Sequence, residues 1–261
     1  MHSSTEKKHI RMVVTDLDGT YLRGDKTLSE YTMEITERLR SAGVLFAVAT
    51  ARPVRAVRDF LPFVRYDIGI FHNGAVIHGM EGERMGFPVQ QPYQIVRRML
   101  QAQPELHIAA EFEDSICANF DAATIWRGIE YTHTEDFAML QGKTADKLLV
   151  EARSLEAAQA LEQYLDSGLY VRLSENVVAM IMDEQATKLR ALELLSEHYG
   201  IAMDEIAAFG DDRNDVDMLT GCGIGIAVAN ALDEVKSIAD EVCLSNEEDG
   251  PARWLAAHFS L

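Results

Sequence analysis

The sequence predicts an α/β fold, a doubly wound parallel sheet with an α+β domain inserted into it. Three observations carry that expectation. Short apolar, β-branched runs alternate with helical patterns at both ends of the chain, as in a parallel sheet covered by helices on both faces. Several of these runs stop at a polar residue, notably Asp16, Thr50 and Asp211. Between the two ends the pattern changes to alternating runs that suit antiparallel strands.

Ile10 to Thr15 is the first such run and stops at Asp16. Thr27 and Glu30 have capping-box spacing ahead of a helix with Ile35, Leu39 and Ala42 on one face, ended by Gly43. Val44 to Ala49 is continuously apolar, as a strand buried on both faces must be. Pro53 suits the first turn of a helix running through Leu61. Asp67 to Gly79 reads as two strands around an Asn73-Gly74 turn. From about Phe87 the inserted block begins: a helix from Gln90 to Gln101, strands within Ile108 to Phe120 and Lys147 to Ala152, an amphipathic helix from Leu155 to Leu165, and two strands in Tyr170 to Met182. After Asp183 the alternation resumes, with helices at Ala186 to Tyr199, Asp215 to Leu219 and Leu232 to Ala239. The strands between and after them are Glu205 to Phe209, Ile224 to Val228 and Glu241 to Leu244. The expected organisation is a discontinuous Rossmann-like core of residues 1–83 and 184–261, interrupted by a cap of residues 84–183.

Composition narrows the function. The 261 residues carry 24 Lys+Arg against 42 Asp+Glu, a net charge of −18, and are 48% hydrophobic. That balance excludes a disordered chain. The acidic surface argues against nucleic acid or an anionic membrane as partner. A small phosphorylated substrate remains compatible, provided local cations hold it. Cys117, Cys222 and Cys243 form no CxxC pair, so neither a disulfide framework nor a zinc site is expected. No apolar run reaches the roughly 18 residues of a membrane span. The N-terminal MHSSTEKKHIRM has no apolar stretch of a signal peptide, so a cytoplasmic location is expected.

Ligands of open parallel sheets bind beyond the carboxyl ends of the strands. The polar residues there are Asp16 and Asp18 in DLDGT, Thr50 in ATAR, and Asp211, Asn214 and Asp215 in GDDRND, with Lys188 opening a later helix. Side chains two apart in extended chain share a face, so Asp16 and Asp18 point into one crevice. Clustered carboxylates must share a proton or hold a cation. Mg²⁺ suits them, because it takes oxygen ligands and keeps places for water and phosphate. Asp16 can then attack phosphorus, Asp18 can protonate the leaving oxygen, and Lys188 and Thr50 can bind phosphoryl oxygens.

Each feature taken alone has a plainer reading. A strand-end Asp forms turns, Thr50 could cap a helix, helix lysines are mostly solvated, and Asn73-Gly74 reads as a hairpin turn. DLDGT and GDDRND together, each after an apolar run, are what favour chemistry. None of the histidines has metal-ligand spacing, and His72 is given no role. Met180 and Met182 read as core or interface residues. Gly221, Gly223 and Gly225 in GCGIGI lack dinucleotide-loop spacing and read as a turn into a strand.

With DLDGT, ATAR, Lys188, GDDRND and FHNGAVI in view, the chain resembles the haloacid dehalogenase-like hydrolases, specifically their Cof-type sugar phosphatases. The resemblance implies Asp16 as the nucleophile that becomes an aspartyl-phosphate. It implies Asp18 as acid/base and, through its backbone carbonyl, a Mg²⁺ ligand. Thr50, the Ala51 backbone and Lys188 correspond to the phosphate cradle, Asp211 and Asp215 to the metal-binding acids, and Asn214 to a group near metal or phosphate. Ala51 stands where the subgroup usually has Gly, and MDEQATK before Lys188 lacks the usual Pro-Gly pair. The expected function is a Mg²⁺-dependent phosphomonoester hydrolase for a small phosphorylated metabolite, a sugar phosphate, acting as a monomer or homodimer. Two alternatives stay open: a hexose-phosphate mutase, and a catalytically silent regulatory protein that binds phosphate esters. Glu111, Glu113, Asn119 and Asn176 are candidate specificity residues in the cap.

Overall fold

The computed structural model describes residues 9–60 and 63–261. They form two compact units. One joins the chain up to Met85 with Thr187–Leu261, and the other is Gly86–Ala186.

The first unit begins with β1 (Met12–Thr15), β2 (Leu45–Ala49) and β3 (Ile68–Phe71), all apolar but for Thr15 and almost wholly buried. Helix α1 (Glu30–Ser41) joins β1 to β2. Its N-cap is Ser29, whose hydroxyl accepts from the Thr32 amide at 3.0 Å, and not Thr27. Thr27 is instead tied to Asp25 by a 2.6 Å side-chain bond, which fixes the preceding turn. After β2 the helix is short: α2 (Val54–Val57) tightens into a 3-10 turn at Arg58–Phe60. Leu61, its expected end, lies outside the described residues. Two antiparallel strands, β4 (Val76–His78) and β5 (Arg84–Met85), follow β3.

The second unit is α+β. Helix α3 (Pro92–Ala102) precedes β6 (Ile108–Phe112), β7 (Ser115–Ala118), β8 (Thr132–His133) and β9 (Lys147–Glu151). Helix α4 (Leu155–Gln159), β10 (Leu169–Ser174) and β11 (Val178–Asp183) complete it. The sheet order is β10-β11-β9-β6-β7-β8. Ile95, Val96 and Met99 of α3 pack with Ala158 of α4 on one face, against Ala110, Leu148, Val150 and Ile181. The other face bears Ala109, Leu149 and Val178, packed with Phe120 and Trp126. The amphipathic helix expected from Leu155 to Leu165 is broken. It ends at Gln159, and a 3-10 turn at Glu162–Tyr164 follows. Leu161 is buried while Leu155 is 56% exposed, so the leucines do not form one stripe.

The chain then returns to the first unit with α5 (Lys188–Tyr199), β12 (Ile206–Gly210) and α6 (Val216–Gly221). Next come β13 (Ile224–Val228), α7 (Asp233–Ile238), β14 (Glu241–Cys243) and α8 (Gly250–Phe259). The sheet order is β14-β13-β12-β1-β2-β3-β4-β5, parallel from β14 to β3. Strand β1 is central: the chain builds outward from it to β2 and β3, then resumes on its other side at β12. That reversal leaves a crevice at the carboxyl ends of β1 and β12. Alternate strand residues face opposite ways. Val13, Phe46 and Phe209 pack with Ile35 and Leu39 of α1 and Leu255 of α8. Met12, Val14 and Ala208 pack with Leu192 of α5, Met218 of α6 and Val235 of α7. Helix α8 lies beyond the last element the strand-helix alternation predicts, although Pro251 in its first turn and the spacing of Leu255 and Phe259 signal it.

Phe209 is fully buried at the centre of this sheet. Phe209→Ala should lower stability by about 3–5 kcal/mol in chemical denaturation of the first unit's transition. Ile238→Ala, at a residue 40% exposed, should cost under about 0.5 kcal/mol. Similar losses in the two variants would contradict this core assignment.

Candidate active site

Asp16 stands just past β1 and is fixed there by its amide, which donates to the Phe209 carbonyl of β12 at 3.0 Å. The chain then turns sharply, with the Tyr21 and Leu22 amides both donating to the Leu17 carbonyl. Gly19 makes the turn at φ +81°, and a Cβ there would lie 2.5 Å from Asp211 Oδ2. Only glycine meets both conditions, so DLDGT needs its glycine to let Asp211 approach.

Lys188 comes from the first residue of α5, behind the Thr187 N-cap. Its Nζ donates to Asp16 Oδ1 at 2.5 Å and to Asp215 Oδ1 at 2.6 Å. The Lys188 and Asp215 side chains are 0% exposed and that of Asp16 is 9% exposed. Asp215 also accepts through Oδ2 from the Asp211 and Asp212 amides at 3.0 and 3.2 Å, which ties the loop after β12 to the lysine. Asp211 accepts from the Thr20 hydroxyl at 2.7 Å. Asp16, Asp211 and Asp215 each bring a carboxylate oxygen within 4.8 Å of the others, a set able to hold a hard cation.

The electrostatics follow from burial. Burial raises the Asp16 carboxyl above its ordinary range; Lys188 opposes this, and the neighbouring Asp215 adds to it. Burial also pushes Asp211 up to about 6, against the Thr20 hydrogen bond and with Asp215 and Asp212 adding to it. For Lys188 burial works downward, but the charges of Asp16 and Asp215 outweigh it and hold the ammonium above its usual value. One cation thus faces three carboxylates.

Asp18 is held differently. Arg52 forks onto it, Nε to Oδ2 at 2.5 Å and Nη2 to Oδ1 at 2.8 Å, and Lys26 Nζ donates to Oδ1 at 2.6 Å. Burial would raise its carboxyl, but Arg52 and Lys26 prevail and keep it below the ordinary value. Its carboxylate is not one of the clustered three.

Thr50 is buried past β2, and its hydroxyl accepts from the Arg52 amide at 3.1 Å. It does not cap α2, whose N-cap is Pro53. Ala51 is exposed in the same turn. Asn214 donates to the Asn73 side chain at 3.2 Å. That contact takes Asn73, at φ 55°, beyond a simple hairpin role. The DLDGT turn is braced by a further pair of bonds: Asn230 Nδ2 donates to the Gly19 carbonyl, and the Asn246 amide donates to Asn230 Oδ1. Sequence reasoning gave no role to Arg52, Lys26, Thr20, Asn230 or Asn246. Arg52 had a signal, since it lies two residues after Thr50 in ATAR. Lys26 and the asparagines had none, because their partners come from loops whose path the strand pattern does not specify.

The family model of the haloacid dehalogenase-like hydrolases matches residues 13–255. The 5-amino-6-(5-phospho-D-ribitylamino)uracil phosphatase YitU of Bacillus subtilis is 29% identical, over 96% of this chain and 98% of its own. The HMP-PP phosphatase of Cronobacter sakazakii is 30% identical, over 86% of each chain. The crystal structure of TM0651 from Thermotoga maritima shares the fold, with TM-score 0.83 at 23% identity over 95% of this chain and 97% of that one. On a family match that takes in both halves of the parallel sheet, the chain belongs to the haloacid dehalogenase-like hydrolases.

Proposed function

We propose that this phosphatase hydrolyses the phosphomonoester of a small metabolite, a sugar phosphate, through an aspartyl-phosphate on Asp16. The observation that carries the reading is Asp16 itself: a buried carboxylate, held by a buried lysine, beside two further carboxylates. The relatives' names support a small phosphorylated substrate, since both are called phosphatases and one is named for 5-amino-6-(5-phospho-D-ribitylamino)uracil.

Asp16 supplies the oxygen that attacks phosphorus. Lys188 keeps one oxygen of Asp16 oriented and contributes positive charge beside the phosphoryl group. Thr50, the Ala51 backbone and Asn214 lie at neighbouring strand ends, where they would bind phosphoryl oxygens. Asp18 carries the proton steps. Released from Arg52 and Lys26 and protonated from solvent, it gives that proton to the leaving oxygen; the carboxylate this leaves is the form that Arg52 and Lys26 hold, and it takes a proton from the water attacking the aspartyl-phosphate. The donor set fits Mg²⁺: Asp16, Asp211 and Asp215 offer hard oxygens, and their excess negative charge is what a divalent cation offsets. The Asp18 backbone carbonyl would complete the protein's share. When bound, the ion supplies neutralisation of the phosphoryl charge.

Asp16→Asn should reduce hydrolysis of a generic aryl phosphate by about 10³-fold or more, with the fold retained by circular dichroism. Activity close to wild type would contradict the nucleophile assignment.

The metal reading has its own pH test. Asp211 rises from 3.8 in unfolded chain to about 6 in the folded protein. A raised carboxyl stabilises the protonated folded form, and that contribution is lost as pH climbs from about 4 through about 6. A cation binds the ionised form and restores stability there. The rise in Tm caused by Mg²⁺ should therefore be larger at pH 7.5 than at pH 5. An equal shift at both values, or none, would contradict a carboxylate site for the ion.

A further inference from the structure

The sequence candidates of the second unit have duties of their own there. Glu111 pairs with Lys147 and Glu113 with Lys143, Asn119 bonds the Ile108 amide and the Leu106 carbonyl, and Asn176 occupies a positive-φ turn position. The first unit holds a less expected feature, the His72-Asn73-Gly74 turn between β3 and β4. All of its residues have positive φ, 49°, 55° and 116° in order. That conformation costs free energy wherever a Cβ is present, and two such residues in succession persist only where surrounding contacts enforce them.

Those contacts reach three segments of the candidate site. The His72 and Asn73 amides donate to the Arg52 and Thr50 carbonyls, both at 3.0 Å, and the Thr50 amide donates to the Ile70 carbonyl at 2.8 Å. In the loop after β12, Asn214 Nδ2 donates to Asn73 Oδ1 at 3.2 Å. A Cβ on Gly74 would lie 2.6 Å from the Thr187 carbonyl oxygen, so its absence lets the turn seat against the residue before Lys188. The turn thus meets the Thr50 turn, the GDDRND loop and the start of α5.

We infer that Asn73 is a positioning residue for phosphoryl binding: with Asn214 as a phosphate ligand, as proposed for this site, Asn73 orients the Asn214 carboxamide. A carboxamide has two N–H donors on one plane. With one of them bonded to Asn73, the plane of Asn214 is set and the second N–H has a fixed direction. A donor fixed in advance gives up no rotamer freedom when an oxyanion arrives, which is what preorganisation contributes. Asn73 can hold its neighbour because it is itself held, by its amide bond to Thr50 and by the packing of Gly74 on α5. The residue type follows from the same constraints. Asparagine tolerates the left-handed region and carries an acceptor on a short stem. Aspartate shares both properties but would add a negative charge beside an anion site.

The test is binding of inorganic phosphate to the full chain in the presence of Mg²⁺, read from the rise in Tm across a phosphate titration. Wild type is compared with Asn214→Ala, Asn73→Gly and the double variant. Glycine takes a φ of 55° without strain and keeps the amide that bonds Thr50, so Asn73→Gly removes only the carboxamide. Asn214→Ala should weaken phosphate about tenfold, the worth of one charge-assisted hydrogen bond. Asn73→Gly should weaken it about threefold or more. The double variant should be no weaker than Asn214→Ala alone, because Asn73 acts through Asn214. Wild-type affinity in Asn73→Gly beside a weakened Asn214→Ala would overturn the inference and leave the phosphate reading of Asn214 standing. Losses that multiply in the double variant would overturn it as well, since Asn73 would then act by another route. No response of wild type to phosphate, or no loss in Asn214→Ala, would remove the phosphate reading of Asn214 and the inference with it.

Discussion

The first unit is organised around one buried ammonium. Lys188 is 0% exposed, and its charge is tolerable only because Asp16 and Asp215 both accept from it. An unpaired charge at that depth would cost several kcal/mol, of order 3–5 for losing one partner of a buried pair. Asp16 and Lys188 are 172 positions apart, so the lysine locks together chain segments on either side of the inserted unit. Asp215 extends the lock into the loop after β12 through the Asp211 and Asp212 amides. The strand order makes this possible. With β1 between β2 and β12, the DLDGT turn, the Thr50 turn and the GDDRND loop all emerge at adjacent strand ends.

The two aspartates of DLDGT are kept apart by their partners. Asp16 faces Lys188 and the other carboxylates, in a buried setting that disfavours its charge. Asp18, two residues on, is half-open and clasped by Arg52 and Lys26, which favour its charge. Two carboxylates whose environments push them in opposite directions can take different roles in one reaction. Gly19 and Thr20 then carry the chain past Asp211, the first by lacking a Cβ and the second by donating its hydroxyl.

The parts legible in the sequence are those fixed by local pattern. Continuous apolar runs located β1, β2, β12 and β13 within a residue or two, because a strand buried on both faces must be apolar throughout. The carboxylates of DLDGT and GDDRND stood out for the same reason: they end such runs. Lys188 was visible only through its place at the start of a helix, since nothing local says that a lysine is buried. Arg52 and Lys26 were missed as partners of Asp18 because that contact depends on how two loops fold toward each other. The broken helix after Leu155 and the overlooked α8 show the limit of periodicity. Leu155 to Leu165 carries leucines at helical spacing that tertiary packing divides, whereas Leu255 and Phe259, one turn apart, join the cluster under α1 and the sheet.

A nucleophilic Asp16 must become covalently phosphorylated during turnover, and that species can be trapped. Protein quenched in acid during turnover and reduced with borohydride converts an acyl phosphate to homoserine, which peptide mass spectrometry locates. Homoserine should appear at position 16 and at no other aspartate. Conversion at another carboxylate, or none while phosphate is released, would contradict it.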